Sequence, residues 1–281
     1  MSDDNRPEMP DDQRAPVEPV SSPPSIPPAP PIFASAPSAG PQTVNLRLPL
    51  VNGLPPAQVR WTILVRLLLI IPQFLVLLFV GVAAFFVAIV VWFVALLTGR
   101  VPEGMGAFLA RFTRWSVRVN AYFFLLTDEY PAFDGNDDDR YPIGVELPEL
   151  SVLNQMAVLF RLFLAVPAYA IGSVLSGGFT TLLVPFWISA LILGRLPAPI
   201  YQVAGTLTRY SARTIAYMLM LTPEYPWGWK GDDVGVSPSG PVGTDDARTT
   251  RFDFHLSGWA QAWLWIFFVL GLFYNGKFRR Y

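Results

Sequence analysis

The chain has 281 residues, 52% of them hydrophobic and 15% charged, with a net charge of −1 and a mean hydropathy of +0.40. Soluble domains carry about 25% charge, so the composition points to a membrane protein, and the near-zero net charge gives no overall pull toward nucleic acid. Cysteine is absent and His255 is the single histidine, which excludes disulfides, thiolate nucleophiles and Cys-bearing or multi-His metal sites.

Residues 1–43 are acidic and rich in proline, with runs such as Pro23-Pro24 and Pro27-Pro28-Ala29-Pro30-Pro31. The basic and apolar regions of a secretory signal are missing. Such a segment buries too little apolar surface to offset its chain entropy, so it is expected to be a disordered, solvated spacer with polyproline II character.

Val44 to Leu50 alternates apolar and polar residues, as an extramembrane strand does. An uncharged apolar run follows from Leu67 to Thr98, and another extends from Leu162 to Leu193. At about 32 residues each, these runs exceed the roughly 20 that one crossing needs but fall short of two crossings and a turn. Two geometries fit: one long helix, tilted or kinked at Pro72 or Pro167, or a helical hairpin turning near Gly81 and near Ser176-Gly177-Gly178. The hairpin is favoured, because Gly172, Ser173, Ser176, Gly177, Gly178 and Pro185 are poor helix formers. Basic residues at both ends of each run (Arg60, Arg66 and Arg100; Arg161 and Arg195) also suit two ends on one side.

A Gly-Arg-x-Pro turn leads each run into a second helix, expected from Glu103 to Leu126 and from Pro199 to Leu221. Arg114, Arg118 and Tyr122 fall at i, i+4 and i+8 and form one stripe, which Arg209, Arg213 and Tyr217 repeat. With apolar residues on the other faces, this is the pattern of an amphipathic helix at headgroup depth.

The whole unit recurs at one fixed offset without a gap. Arg66, Pro72, Trp92, Gly99-Arg100 and Pro102 match Arg161, Pro167, Trp187, Gly194-Arg195 and Pro197. Leu126-Thr127 and Glu129-Tyr130-Pro131 match Leu221-Thr222 and Glu224-Tyr225-Pro226. The domains are therefore a tail (1–43), a first repeat (44–135), a second repeat (136–230), a polar linker (231–257) and a C-terminal apolar helix (258–281). Tyr141 to Leu147 and Arg251 to Leu256 read as further short strands, with His255 on a strand surface. Asp134 to Asp139 and Asp232-Asp233 lack the ligand spacing of a calcium loop and read as solvated linkers. Three tryptophans (Trp259, Trp263, Trp265) at one end of the last segment, and Lys277, Arg279 and Arg280 at the other, indicate a crossing with a cytoplasmic C-terminus. That crossing conflicts with an all-hairpin topology, so the number of crossings stays open.

This order of features resembles a bacterial membrane family, the domain-of-unknown-function family 4389, in tandem over about residues 44–230. Thr127-Asp128-Glu129-Tyr130-Pro131-Ala132-Phe133 is close to that family's Asp-x-Tyr-Pro-Pro-Phe ending, whereas Pro223 and Trp227-Gly228 depart from it in the second copy. The resemblance implies a membrane fold and no assigned activity.

The expected fold class is an all-α membrane protein: a tandem repeat of a long apolar helix or helical hairpin plus an amphipathic interfacial helix, with minor short strands outside the membrane. Arg66 and Arg161 need partners at the mouths of the apolar runs. Glu129 and Glu224, the carboxylates common to both copies, are the expected ones, with an anionic ligand or lipid as the alternative. The arginine stripes are candidate sites for anionic headgroups, at about 1 kcal/mol per basic residue. The expected role is that of a non-enzymatic, multi-pass cell-membrane protein that anchors, scaffolds or shapes the bilayer. Its expected partners are membrane lipids and a membrane protein or a second copy, with no cofactor, metal or nucleic acid. A small transporter or channel subunit is the alternative.

Overall fold

The computed structural model describes residues 44–136, 141–230, 249–251 and 254–278. The Pro-rich tail, Asp137 to Asp139, Asp232-Asp233, Arg279 and Arg280 lie outside the described residues, as does the side chain of Lys277. The described residues are mostly helical, with four short strands among them, in the order β1 (Asn45–Arg47), β2 (Pro49–Val51), α1 (Arg60–Thr98), α2 (Glu103–Phe123), β3 (Gly144–Glu146), α3 (Gln155–Thr181), α4 (Leu183–Leu193), α5 (Ala198–Met218), β4 (Thr249–Arg251) and α6 (Gly258–Phe278).

The first apolar run is one uninterrupted helix, α1, that passes through Pro72 and Gly81 without a turn. Its 39 residues measure about 58 Å along the axis at 1.5 Å per residue. The second run is interrupted only at Leu182, whose N–H donates to Phe179 O (3.1 Å) before α4 resumes. One residue cannot reverse a chain, since helical hairpins use loops of about two to five residues. The favoured hairpin reading is therefore wrong for both copies.

The small residues that suggested a turn have a different role. Gly178 and Gly271 face each other's helices, and a Cβ on either would collide with backbone, at Phe267 O and Val174 O respectively. Glycine here lets α3 and α6 approach to backbone contact, as small residues do between apolar helices. The residue in the first copy corresponding to Gly178 is Ala83, which is exposed.

The Gly-Arg-x-Pro motifs end the long helices and tie the copies together. Gly99 (φ 68°) and Gly194 (φ 71°) adopt the left-handed C-cap conformation and donate N–H to Ala95 O and Ala190 O. Each cap carbonyl accepts from the other copy: Leu153 N–H donates to Gly99 O and Gln58 N–H to Gly194 O, both at 2.8 Å. Two residues earlier the exchange repeats with side chains, Gln155 Nε2 to Leu97 O (2.9 Å) and Arg60 Nη2 to Ile192 O (3.1 Å). Reciprocal bonds of this kind are the signature of a two-fold interface, here within one chain.

The extended segments that flank the copies pair as well. β1 lies antiparallel to β3 with Leu46 opposite Val145, and β2 pairs with β4 with Leu50 opposite Thr250. β4 reaches Arg251, the first residue of the expected strand, Phe252 and Asp253 lie outside the described residues, and His255 sits exposed before α6. Most of α5 is buried, including Tyr201, Ala204, Thr208 and Ala212. About half of α2 is buried as well, including Leu109, Thr113, Val117 and Ala121, so the second helix of each repeat packs into the core.

Candidate functional site

Arg66 projects from the second turn of α1 and is fully buried. Its Nη1 donates to Tyr122 O (3.0 Å), its Nη2 to Asp128 Oδ1 (2.8 Å), and its guanidinium lies 4.3 Å from the Tyr122 ring centroid. Asp128 also accepts from Val59 N–H (3.1 Å) and from the Thr62 hydroxyl. Val59 is the N-cap position of α1 and brings no side-chain cap of its own. One carboxylate therefore balances the buried charge and caps the helix from another part of the chain. The expected partner of Arg66 was Glu129. The structure selects the neighbouring Asp128, and Glu129 is exposed. Its backbone carbonyl accepts from the Tyr141 hydroxyl (2.9 Å). Burial pushes that hydroxyl well above the usual phenol range, with Glu129 adding to the shift and Arg118 opposing it, so Tyr141 remains a neutral donor.

Arg161 repeats half of this arrangement. It is 1% exposed, donates Nη1 to Tyr217 O (3.0 Å) and stacks 4.4 Å from the Tyr217 ring centroid. Pro223 stands where the first copy has Asp128, and Glu224 points outward, exposed, with its N–H donated to Thr222 Oγ1 (3.2 Å). The expected Arg161–Glu224 pair is not formed. Helix α3 is capped by its own N-cap residue instead, Asn154 Oδ1 accepting from Met156 N–H (2.9 Å). The cap is replaced, but the counter-charge is not.

A second pair of solutions lies deeper. In the first copy, buried Gln73 donates Nε2 to Pro131 O (2.6 Å) and accepts from Trp115 Nε1 (2.9 Å). The corresponding positions in the second copy are Ala168 and Tyr210, and the Tyr210 hydroxyl reaches Ala168 O at 3.0 Å. Gln73 carried no signal in the sequence, because its donor and acceptor serve partners that only folding brings near.

The arginine stripes face inward. Arg118 and Arg209 are each 1% exposed, and Arg114 and Arg213 are half-buried. Arg114 Nε donates to Val145 O and Arg118 Nε to Ile143 O, both at 3.4 Å, and Arg118 lies 4.9 Å from the Tyr141 ring centroid. Arg213 donates Nε to Val44 O (2.9 Å) and Nη1 to Trp227 O (3.2 Å), while Arg209 lies 3.8 Å from the Phe254 ring centroid. Each stripe thus holds extended backbone that precedes the other copy. Arg118 and Arg209 have almost no exposed surface, whereas Arg114 and Arg213 keep part of theirs.

The outer surface differs in kind. Trp61, Leu68, Phe79, Phe85, Phe86 and Leu97 on α1 are exposed, and only 11% of that helix's most apolar window is buried. Helices α1 and α3 are long and apolar enough to cross a membrane. An apolar groove of about 390 Å³ runs along α1 from Gly81 to Phe93, bounded by Phe112, Leu162 and Met218 to Met220, with no charged side chain in its lining. Among the described residues, no cluster of three or more His, Asp or Glu has metal-binding geometry.

A family model described as a domain of unknown function (DUF4389) matches residues 60–134 and again residues 155–230. No curated protein and no solved structure was found to match the chain.

Proposed function

The chain belongs to this domain-of-unknown-function family, in two tandem copies, and from that premise we propose that it is a non-enzymatic, membrane-embedded scaffold. The observation that carries this reading is the apolar belt of α1, exposed over nearly its whole length. A contiguous apolar surface of that extent is unstable in water and needs lipid or a partner against it. At 39 residues, α1 exceeds the roughly 20 that span a bilayer core, so it crosses at a steep tilt or bows within the membrane. Three features support a structural rather than catalytic role. Cysteine is absent, the lone histidine is exposed, and Arg66, Arg114, Arg118, Arg161, Arg209 and Arg213 are engaged in packing. The inward stripes bind the copies together and leave lipid contact to the apolar faces.

The chain's lack of cysteine makes the test direct. Single cysteines at Phe79, Phe86 and Asn136 are exposed to a membrane-impermeant maleimide in intact and in detergent-opened vesicles. The expected result is labelling at Asn136 and protection at Phe79 and Phe86. Equal labelling of all three in intact vesicles would sink membrane embedding. The duplicated, reciprocally joined units also suit a small transporter. Solute flux through purified, reconstituted protein would favour that role, and its absence together with protected apolar positions favours the scaffold.

A further inference from the structure

The second copy lacks a carboxylate that the first copy possesses, at a position where the arginine is retained. Arg161 is 1% exposed and keeps the backbone and aromatic contacts of Arg66. Its Nη2, the atom that Arg66 gives to Asp128, has no acceptor among the described residues. The Nε of both arginines is buried without an acceptor, so Nη2 is where the copies differ. A buried guanidinium without a counter-charge is expensive, and removing one partner of such a pair is strongly destabilising. Glu224, next to the substituted position, lies outside ion-pair distance, as does every other described carboxylate.

The position is reachable. Asp128 is 24% exposed in the first copy, so the corresponding place opens to the surface. In the second copy its rim is formed by Asn154, Ala157 and Pro223, all exposed and none negatively charged. Thr62, which donates to Asp128, is replaced there by Ala157, which enlarges the opening by removing a hydroxyl. The first turn of α3 adds the positive end of its helix dipole beside the guanidinium.

We infer that Arg161 and the start of α3 form a binding site for a phosphate-type oxyanion, which takes the place that Asp128 fills in the first copy. The oxygen would accept from Nη2 of Arg161, a charge-assisted bond of the kind guanidinium groups make with phosphates. The source is either a lipid phosphodiester at headgroup depth or free phosphate, and the chemistry of the contact is the same for both. The inference does not depend on the scaffold reading, because the free-phosphate arm is run in detergent.

The test uses the full chain in an uncharged detergent, wild type beside Pro223→Asp. Inorganic phosphate is titrated at constant ionic strength against chloride, and Tm is followed. In a second arm, delipidated protein is mixed with phosphatidylglycerol and retained lipid is counted by native mass spectrometry. Wild type is expected to gain roughly 2–4 °C with one ligand, or to retain one lipid. Pro223→Asp, which supplies the missing carboxylate internally, is expected to start at a higher Tm and to lose both responses. A response to phosphate identifies the free ion, and lipid retention alone identifies the headgroup. If Pro223→Asp does not accumulate, Ala157→Asp places a carboxylate one helical turn before Arg161 and carries the same expectation. A wild type indifferent to both probes, or a variant that responds as wild type does, overturns the site.

Discussion

The two copies begin their long helices in different ways although their sequences run in register. In the first, a distant aspartate caps α1 and neutralises Arg66 at once. In the second, Asn154 caps α3 locally and Arg161 is left with a carbonyl and a ring. Deeper in, Gln73 with Trp115 becomes Ala168 with Tyr210, and again both arrangements place a polar donor on an acceptor. The helices need a filled cap and a satisfied donor, and several residue combinations supply them. The contacts that join the copies are kept alike in both, namely the glycine caps and the Arg60 and Gln155 clasps, and so is the arginine–tyrosine contact within each copy.

The comparison can be broken most forcefully at the α3–α6 contact. Gly178→Leu should separate the two helices and destabilise the fold by more than about 3 kcal/mol, while Ala83→Leu at the matching exposed position of α1 should stay within about 0.5 kcal/mol. Denaturant unfolding of the detergent-solubilised protein measures both, and equal effects would refute the close approach. Next in size is Asp128→Ala, which strands Arg66 and should lower stability by roughly 3 kcal/mol. Pro223→Ala should be near neutral, since Arg161 has no carboxylate to lose. Gln73→Ala should then lose about 1–3 kcal/mol by leaving the Trp115 N–H buried and unpaired. Adding Trp115→Tyr rebuilds the pair found in the second copy. A double-mutant cycle on these positions should show a coupling of about 1 kcal/mol, and simple additivity would mean that the two pairs are not equivalent. The smallest effect belongs to the caps: Asn154→Ala should destabilise by about 1 kcal/mol, whereas Val59→Ala should change little because the α1 cap comes from Asp128.

Glu129 and Asp128 show how far the sequence could be read. Glutamate was the natural partner for Arg66 because it occurs in both copies, yet the carboxylate that reaches the guanidinium is the one the second copy lacks. The glycine-rich stretch from Gly172 to Gly178 favoured a hairpin on propensity alone. Its glycines instead face neighbouring helices distant in the chain, Gly172 the Tyr210 ring of α5 and Gly177 and Gly178 residues of α6. Tertiary contact outweighs local preference where a neighbouring backbone occupies the space of a side chain.

The duplication, the long uncharged helices, the glycine-ended turns, the absence of cysteine and the single histidine were all legible in the residues alone. These are properties of periodicity, length and composition. Only the tertiary structure decided that the runs do not fold back, that the arginine stripes face inward, and that the charge balance differs between copies. The physical reason is common to all three. Most of the acceptors for these arginines are backbone carbonyls of the other repeat, and every residue has a carbonyl, so the choice among them is written only in the packing.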